Sequence, residues 1–304
     1  MEPKSWSVPE TEAGQRVDKW LAGQLPEISR SRIQGWIDEG RVSDDRGILV
    51  RNSPVRAGTL IRLLPPGETS PESFRPSPIP IKVLHEDEIL VVIDKAPEQV
   101  VHPGAGTPPG STLVEGLVHQ FGFSGDVDDP ARPGVVHRLD RGTSGLLVWT
   151  RTTEAQRHLT AQFKARKVSK EYLAVVQGKP RSVTGTIERP IARHPRSRTR
   201  MAVREDGKPA RTDWTLIHGG EDWSTLRCRI YTGRTHQIRV HLASVGLPVA
   251  GDRTYGFRPT QWKSHPAPER PLLHAGFLKF VHPTSKLTVS FHAPPPPDMS
   301  EYCP

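Results

Sequence analysis

Residues 132–152 read RPGVVHRLDRGTSGLLVWTRT. An apolar pair, Val135-Val136, leads into His137-Arg138-Leu139-Asp140, then a turn containing Gly142, Thr143, Ser144 and Gly145, then a run of branched and aromatic residues. That order predicts a turn feeding a buried strand. It places one carboxylate, Asp140, between packed segments, where neighbours are rigid and the front is open, as a nucleophile requires. The plainer alternative is that Asp140 caps its own turn by accepting from the amides of Gly142 or Thr143.

Outward from this stretch, strands and helices mix without strict alternation. Upstream are a strand at EILVVID (88–94) and a helix near Thr112 to Phe121. Downstream, Thr153 to Gln156 predicts a capping box opening a helix. The strands KEYLAVV (170–176), DWTLIHG (213–219), TLRCRIY (225–231) and LTVSFHA (287–293) follow. This order predicts an α+β domain over residues 80–298, with a mixed, mainly antiparallel sheet and flanking helices rather than a doubly wound parallel one. Residues 67–79 lie in a stretch rich in Pro and Ser without a periodic apolar face and read as a linker. Residues 14–66 form a smaller unit. Val17, Trp20, Leu21 and Leu25 fall at helical spacing, and Ser29 or Ser31 offers a cap for a second helix with Ile33, Trp36 and Ile37, stopped by Gly40. Asp45-Arg46-Gly47 then reads as a turn before a strand with Ile48 and Val50.

Composition narrows the partners. The chain of 304 residues has 42 Lys plus Arg against 33 Asp plus Glu, a net charge of +9, which favours an anionic partner, nucleic acid first. Its two cysteines, Cys228 and Cys303, belong to no CxxC pair, so neither a disulfide framework nor a cysteine zinc site is expected. The amino terminus has no apolar core of signal-peptide length and no stretch has the apolar length of a membrane helix, so a soluble cytoplasmic protein is expected. His137, His236, His241 and His274 could suggest zinc, but His236 and His241 are five apart and share no helical face, so no metal is expected. GAGTPPGST lacks the lysine and spacing of a phosphate loop, and GTSG lacks the spacing of a nucleophile elbow.

A second segment, YTGRTHQIRVHLASVGLP (231–248), carries weight. Thr235 can cap a helix in which Ile238, Leu242 and Val245 face the core and Gly246 is the stop. Arg239 falls at the border of that buried stripe, where an arginine either snorkels outward or pairs with a buried acid. If the acid is Asp140, the guanidinium favours its charged form.

HRLDRGTSG (137–145), SKEYLAVV (169–176), GRTHQIRVHLA (233–243) and LLHAGFLKFVHP (272–283) together resemble, in order, the motifs of the RluA-type pseudouridine synthases, with VVHPGAG (100–106) and RHPRSRTRMAV (193–203) adding to the match. The nearest branch is the RluD-like one, which acts on large-subunit ribosomal RNA. Residues 15–64, with SRSRIQGWIDEGRV, resemble the RNA-binding domain first described in small-subunit ribosomal protein four.

The resemblance implies the pseudouridine synthase fold, with a small αα-hairpin RNA-binding domain before it. It implies isomerisation of uridine in ribosomal RNA, most naturally 23S, on a pre-ribosomal particle, by a monomer without cofactor. By position, Asp140 corresponds to the catalytic aspartate, Tyr172 to the tyrosine that stacks on the target base, and Arg239 to the arginine that pairs with the aspartate. Arg138 matches the residue that fills the space left by the flipped nucleotide, and Leu273 an apolar wall of the uracil pocket. His137, Thr143, Arg234, His236 and Gln237 stand in the same motifs and are expected at the substrate, while Arg30 and Arg32 are expected to meet RNA from the small domain. Where relatives commonly read Asn-Lys-Pro-Ala-Gly, this chain has Asp94-Lys95-Ala96-Pro97-Glu98-Gln99, a departure expected to lie away from the catalytic motif.

The residues alone also admit ordinary readings: Tyr172 as a core aromatic on a strand, and the cluster Arg193, Arg196, Arg198, Arg200 and Arg204 as a solvated face. Two rival functions follow. One is an RNA-binding protein without activity, and the other a hydrolase pairing Asp140 with a second carboxylate such as Glu171 to release uracil.

Overall fold

The computed structural model describes residues 4–26, 28, 30–64, 74–104, 107–125, 132–197, 199–263 and 265–303. The chain divides into two compact units, Met1–Arg75 with Asp126–Pro133, and Pro76–Gly125 with Gly134–Pro304.

In the first unit β1 (Lys4–Ser7) precedes α1 (Val17–Gln24) and α2 (Arg30–Asp38), followed by β2 (Val42–Asp44), β3 (Gly47–Ile48) and β4 (Leu60–Leu63). The strands pair in the order β1-β4-β2-β3. Val17, Trp20, Leu21, Leu25, Ile33, Trp36 and Ile37 form one buried cluster with Val8, Val42, Ile61 and Leu63, as the helical spacing predicts. The sheet reaches further back than residue 14, because Lys4–Ser7 pairs antiparallel with β4. Ile48 and Val50 do not enter the core: they are 69% and 62% exposed. Of the two predicted caps for α2, Ser29 lies outside the described residues, as does the side chain of Ser31; residues 65–66 at the end of the small unit and 67–73 of the linker lie outside them too.

The second unit contains β5 (Val83–Glu86), β6 (Leu90–Lys95), α3 (Leu113–Phe121), β7 (Ser144–Thr150), α4 (Thr153–Lys164), β8 (Ser169–Gln177), β9 (Thr184–Glu188), β10 (Ile191–Arg193), β11 (Met201–Val203), β12 (Arg211–Gly219), β13 (Trp223–Ile230), α5 (Gln237–Ser244), β14 (Leu273–Val281) and β15 (Thr288–His292). Its main sheet runs β5-β6-β7-β14-β8-β13-β12-β9, with β15 added to β14, while β10 and β11 form a separate hairpin. Among the strands of the described residues, only β7 and β14 pair in parallel; the other strand pairings of the sheet are antiparallel. The α+β, mainly antiparallel expectation therefore holds.

β7 is buried at every position, which its unbroken apolar run requires. Its start lies so close to β14 that a Cβ on Gly145, at φ +107°, would stand 2.7 Å from the Ala275 nitrogen and nearer still to its carbonyl oxygen. Glycine is needed there. β8 covers one edge of β14; β7 and β15 divide the other.

Two helix starts differ from expectation. The cap of α4 is Thr152, whose hydroxyl accepts from Ala155 N (3.2 Å), while Gln156 turns instead to Gly134 N and Val135 O. Adjacent threonines make the signal degenerate by one residue. α5 has no side-chain cap; its N-cap is His236 in the left-handed region at φ 56°, not Thr235. Ile238 and Leu242 are buried as predicted, but Val245 is 41% exposed. Gln162 reaches β14 from α4 and both donates to and accepts from Val281 backbone, fixing the helix along one wall of the cleft described below.

Candidate active site

Asp140 follows an extended segment and begins a turn in which Thr143 N donates to Asp140 O (3.0 Å). The next residues are pinned from two sides. Gly142 N donates to Pro97 O (2.7 Å), and Arg270 Nη1 donates to Gly142 O (2.9 Å). Pro97 is held in turn by fully buried Lys95, whose Nζ donates to Ala96 O (2.7 Å), Pro97 O (3.3 Å) and Gln99 O (2.9 Å). Burial lowers the Lys95 pKa to about 8. The segment 94–99 thus supports the turn directly, and its departure from the family pattern is not remote from the motif. The reason is topological: β6 and β7 are antiparallel neighbours, so the exit of one meets the entrance of the other.

A cleft of about 540 Å³ opens in front of Asp140. Its walls combine residues 136–140 and Thr143 with Phe163, Lys164, Arg166 and Val168 at the end of α4, Lys170 and Tyr172 on β8, residues 230–239, and Leu273 on β14. Every site residue expected from residues 137–273 is on this wall: His137, Arg138, Asp140, Thr143, Tyr172, Arg234, His236, Gln237, Arg239 and Leu273. Glu171, the second carboxylate of the hydrolase reading, is not. Arg30 and Arg32 belong to the other unit, where Arg30 bonds Asp18 (3.0 Å) and the Arg32 guanidinium lies 5.3 Å from the Trp36 ring.

Arg239 has a partner that the sequence reading missed. Its Nε and Nη2 donate to Asp252 at 2.6 and 2.9 Å, and both side chains are buried, 8% and 1% exposed. Nη1 is left to face Asp140 Oδ2 at 3.6 Å. Burial alone would lower the Arg239 pKa; the Asp252 pairing, reinforced by Asp140, raises it instead. The inference that a buried arginine needs a buried acid was sound, but the principal acid is Asp252 and Asp140 is the outer one. Gly251, at φ +80°, sits so tightly against the Arg270 carbonyl that no side chain fits, and this holds Asp252 in a fixed turn that only the fold displays.

His236 Nε2 lies 3.9 Å from Asp140 Oδ2. Burial lowers its pKa, against the pull of Asp140. Tyr172 is buried at the base of the wall, and burial, then Asp140, raises the pKa of its phenol, which stays neutral. Lys170 beside it has its pKa lowered to about 8 by burial.

Other expected residues have supporting contacts. His137 Nε2 accepts from Val148 N (3.0 Å) and its ring stacks on Phe163 (4.7 Å); burial, then Lys170, lowers its pKa to about 3, so it stays neutral. Gln237 Oε1 accepts from Thr232 Oγ1 and Arg234 N, and its Nε2 donates to Arg211 O and Thr212 Oγ1, which builds the turn before α5. Arg138, exposed at the rim, donates to His102 Nε2 (3.1 Å). Of the loop VVHPGAG, residues 105 and 106 lie outside the described residues, as does Arg198 of the basic cluster.

Among the described residues, no three His, Cys, Asp or Glu side chains are grouped to hold a metal. His241 bonds Thr212 and the Arg189 carbonyl, and His274 bonds Ser144 and the Ala293 carbonyl. No helix of the described residues is long and apolar enough to cross a membrane.

Residues 89–244 match the family model described as RNA pseudouridylate synthase. A protein of Nitrosomonas europaea named ribosomal large subunit pseudouridine synthase D is 41% identical over 303 residues, covering 97% of this chain and 85% of that protein. The protein of the same name in Escherichia coli strain K12 is 39% identical, covering 97% and 91%. An uncharacterized RNA pseudouridine synthase of Chloroflexus aurantiacus is 45% identical, covering 96% and 90%. Among solved structures, human RNA pseudouridylate synthase domain containing 1 is similar with a TM-score of 0.56 at 28% identity, covering 76% of this chain and 86% of that one.

Proposed function

The chain belongs to the RNA pseudouridylate synthase family, and on that premise we propose that it isomerises uridine to pseudouridine in large-subunit (23S) ribosomal RNA, with Asp140 as the catalytic carboxylate. One observation carries the residue assignment: three motifs far apart in sequence bring Asp140, Tyr172 and Arg239 to the wall of a single cleft.

The reaction breaks the bond from uracil N1 to C1′ of the sugar and forms one from C5 to the same carbon. C5 gives up a proton and N1 gains one, so nothing is oxidised and no water is consumed. A carboxylate can trap C1′ covalently or stabilise an oxocarbenium-like sugar, as in glycosidases. It can equally remove a sugar proton or add to the uracil ring. Each of these routes needs an oxygen free to approach the nucleoside, which Asp140 has, since Arg239 is tied to Asp252.

The target base must leave its stack, which takes a few kcal/mol and calls for a gap-filler and a receiving platform. Arg138, a planar cation at the cleft rim, suits the first role, and the neutral Tyr172 ring the second. Leu273 offers an apolar wall. His137, Thr143 and Gln237 hold the shape of the cleft, while Arg234, Lys164, Arg166 and Lys170 supply positive charge for phosphates. A cleft near 540 Å³ accommodates one nucleotide. The first unit, with Arg30 and Arg32, is read as an RNA-binding domain like that of small-subunit ribosomal protein four, and the site of action as the cytoplasm.

The test is to incubate the purified protein with large-subunit ribosomal RNA, digest, and detect pseudouridine by specific labelling and mass spectrometry. Wild type should form pseudouridine; Asp140→Ala should form none and keep RNA affinity within a few fold, because one turn residue adds little to phosphate contacts. Wild-type turnover in Asp140→Ala would refute the assignment, and release of free uracil would favour a hydrolase. Mapping pseudouridines in ribosomal RNA from cells with and without the gene then identifies the positions.

A further inference from the structure

His236 occupies an unusual place. It is one of three residues other than glycine with positive φ among the described residues, with Arg166 and Lys286, and it lines the cleft. Left-handed backbone at such a residue is unfavourable by about 1–2 kcal/mol and persists where the surroundings impose it. Here the strained residue turns one ring nitrogen towards Asp140 (Nε2, 3.9 Å) and the other towards Tyr255 (Nδ1 to Oη, 2.7 Å).

Tyr255 lies on the short turn after Asp252 and is buried. Its hydroxyl oxygen accepts the backbone N–H of Met201, on β11, at 2.8 Å. Among the described residues, the polar neighbours of this hydroxyl are that donor and His236 Nδ1. A phenol has one proton to give. With an N–H already pointing at the oxygen, the acceptor left for the phenolic proton is Nδ1. A neutral imidazole that accepts at Nδ1 carries its proton on Nε2, since the tautomer follows the hydrogen bond made by the other nitrogen. Burial keeps His236 towards the neutral form, consistent with this.

We propose that Tyr255 is a positioning residue that locks His236 as the Nε2–H tautomer, so that the imidazole presents a donor to the Asp140 carboxylate. The proposal rests on Asp140 being the catalytic group. It gives Asp140 two donors of different kind, Arg239 Nη1 at 3.6 Å and His236 Nε2–H at 3.9 Å. Neither is at hydrogen-bonding distance without substrate, and such contacts commonly tighten only in the reacting complex. The Tyr255 ring also meets the Arg239 guanidinium at 5.0 Å, so one side chain sets both donors. The opposite tautomer would aim a bare lone pair at the carboxylate and repel it.

The tautomer is read directly by nitrogen NMR of the full chain labelled with ¹⁵N-histidine, with His236 assigned from its loss in His236→Gln. Wild type should show protonated Nε2 and unprotonated Nδ1; the reverse pattern overturns the proposal without any variant or activity assay. In Tyr255→Phe the Nδ1–H form should become populated and kcat should fall about tenfold with KM little changed, the scale of one buried hydrogen bond. An unchanged tautomer and turnover would overturn it. If Tyr255 acts through His236, Tyr255→Phe should lower kcat no further in a His236→Gln background; a tenfold loss in both backgrounds would mean a packing role and would also overturn it. Wild type that forms no pseudouridine would refute the functional reading instead, and the tautomer measurement stands apart from that outcome.

Discussion

Replacing Asp252 by asparagine should damage stability and turnover together, which Asp140 substitution should not do. Asp252 is 1% exposed and receives two charge-assisted hydrogen bonds from Arg239. Two unit charges about 4 Å apart attract by about 4 kcal/mol at an effective dielectric near 20. Asparagine keeps the shape and one acceptor, retaining about 1 kcal/mol, but its amide sets a donor against a guanidinium N–H. The net loss is about 3 kcal/mol, at the lower edge of what removing one partner of a buried pair does. For a domain of this size that corresponds to a melting temperature lower by about 6–12 °C.

Without Asp252 the guanidinium has one anion left, Asp140 at 3.6 Å, and is drawn onto it. If Asp140 is the catalytic group as proposed, holding it in a close ion pair and displacing it by about 1 Å should slow turnover about a hundredfold. Thermal denaturation and single-turnover pseudouridine formation measure the two effects. Asp140→Asn is the control, since Arg239 there keeps its bidentate partner and stability should stay within about 1 kcal/mol of wild type. An Asp252→Asn protein that melts and reacts like wild type would refute the view that Asp252 anchors Arg239.

Other outcomes follow from the same geometry. Lys170, with its pKa lowered to about 8 by burial, stays protonated to higher pH in the unfolded chain, so between about pH 8 and the ordinary lysine value the unfolded state holds the extra proton and wild-type stability rises with pH. Denaturant unfolding at about pH 8 and pH 9.5 should show a smaller gain in Lys170→Met, which keeps the rising contribution of Lys95 and the opposing one of the buried Cys228 and Cys303 thiols but lacks that of Lys170; equal changes in the two proteins would contradict the burial. Gly145→Ala should destabilise by about 3 kcal/mol or more, from left-handed backbone and a clash with Ala275, and a neutral result would deny the close approach of β7 and β14. His137→Phe should leave turnover within about threefold if His137 only packs on Phe163 and accepts from Val148, and a loss like that of Asp140→Asn would move it into the chemistry.

Much of the architecture was legible because β6, β7, β8, β12 and β13 carry unbroken or alternating apolar runs. The strands that escaped are short or irregular. β9 buries Ile187 alone among its residues, and the bulge of β14 between His274 and Phe277 breaks the two-residue period through LLHAGFLKFVHP. Motif order was enough to gather the cleft residues, since the motifs are local. Asp252 and Tyr255 were not legible: each acts through a side chain brought to it by tertiary packing of α5 against the turn at 251–256, and neither is marked by periodicity.

That division explains why an arginine beside the acid we propose as catalytic needs a second acid. If Asp140 were the sole partner of Arg239, the pair would close to hydrogen-bonding distance, and an attacking oxygen would first have to be pulled from a buried cation. Asp252 takes the Nε and Nη2 face, so the charge of Arg239 is met before substrate arrives and only Nη1 is directed at Asp140, 3.6 Å away. The carboxylate then feels a positive field while its oxygens remain free to move towards C1′ or the uracil ring. An ion pair held slightly open by a third, deeper charge is a preorganised environment, and its maintenance depends on residues 251–255 as much as on the HRLD motif itself.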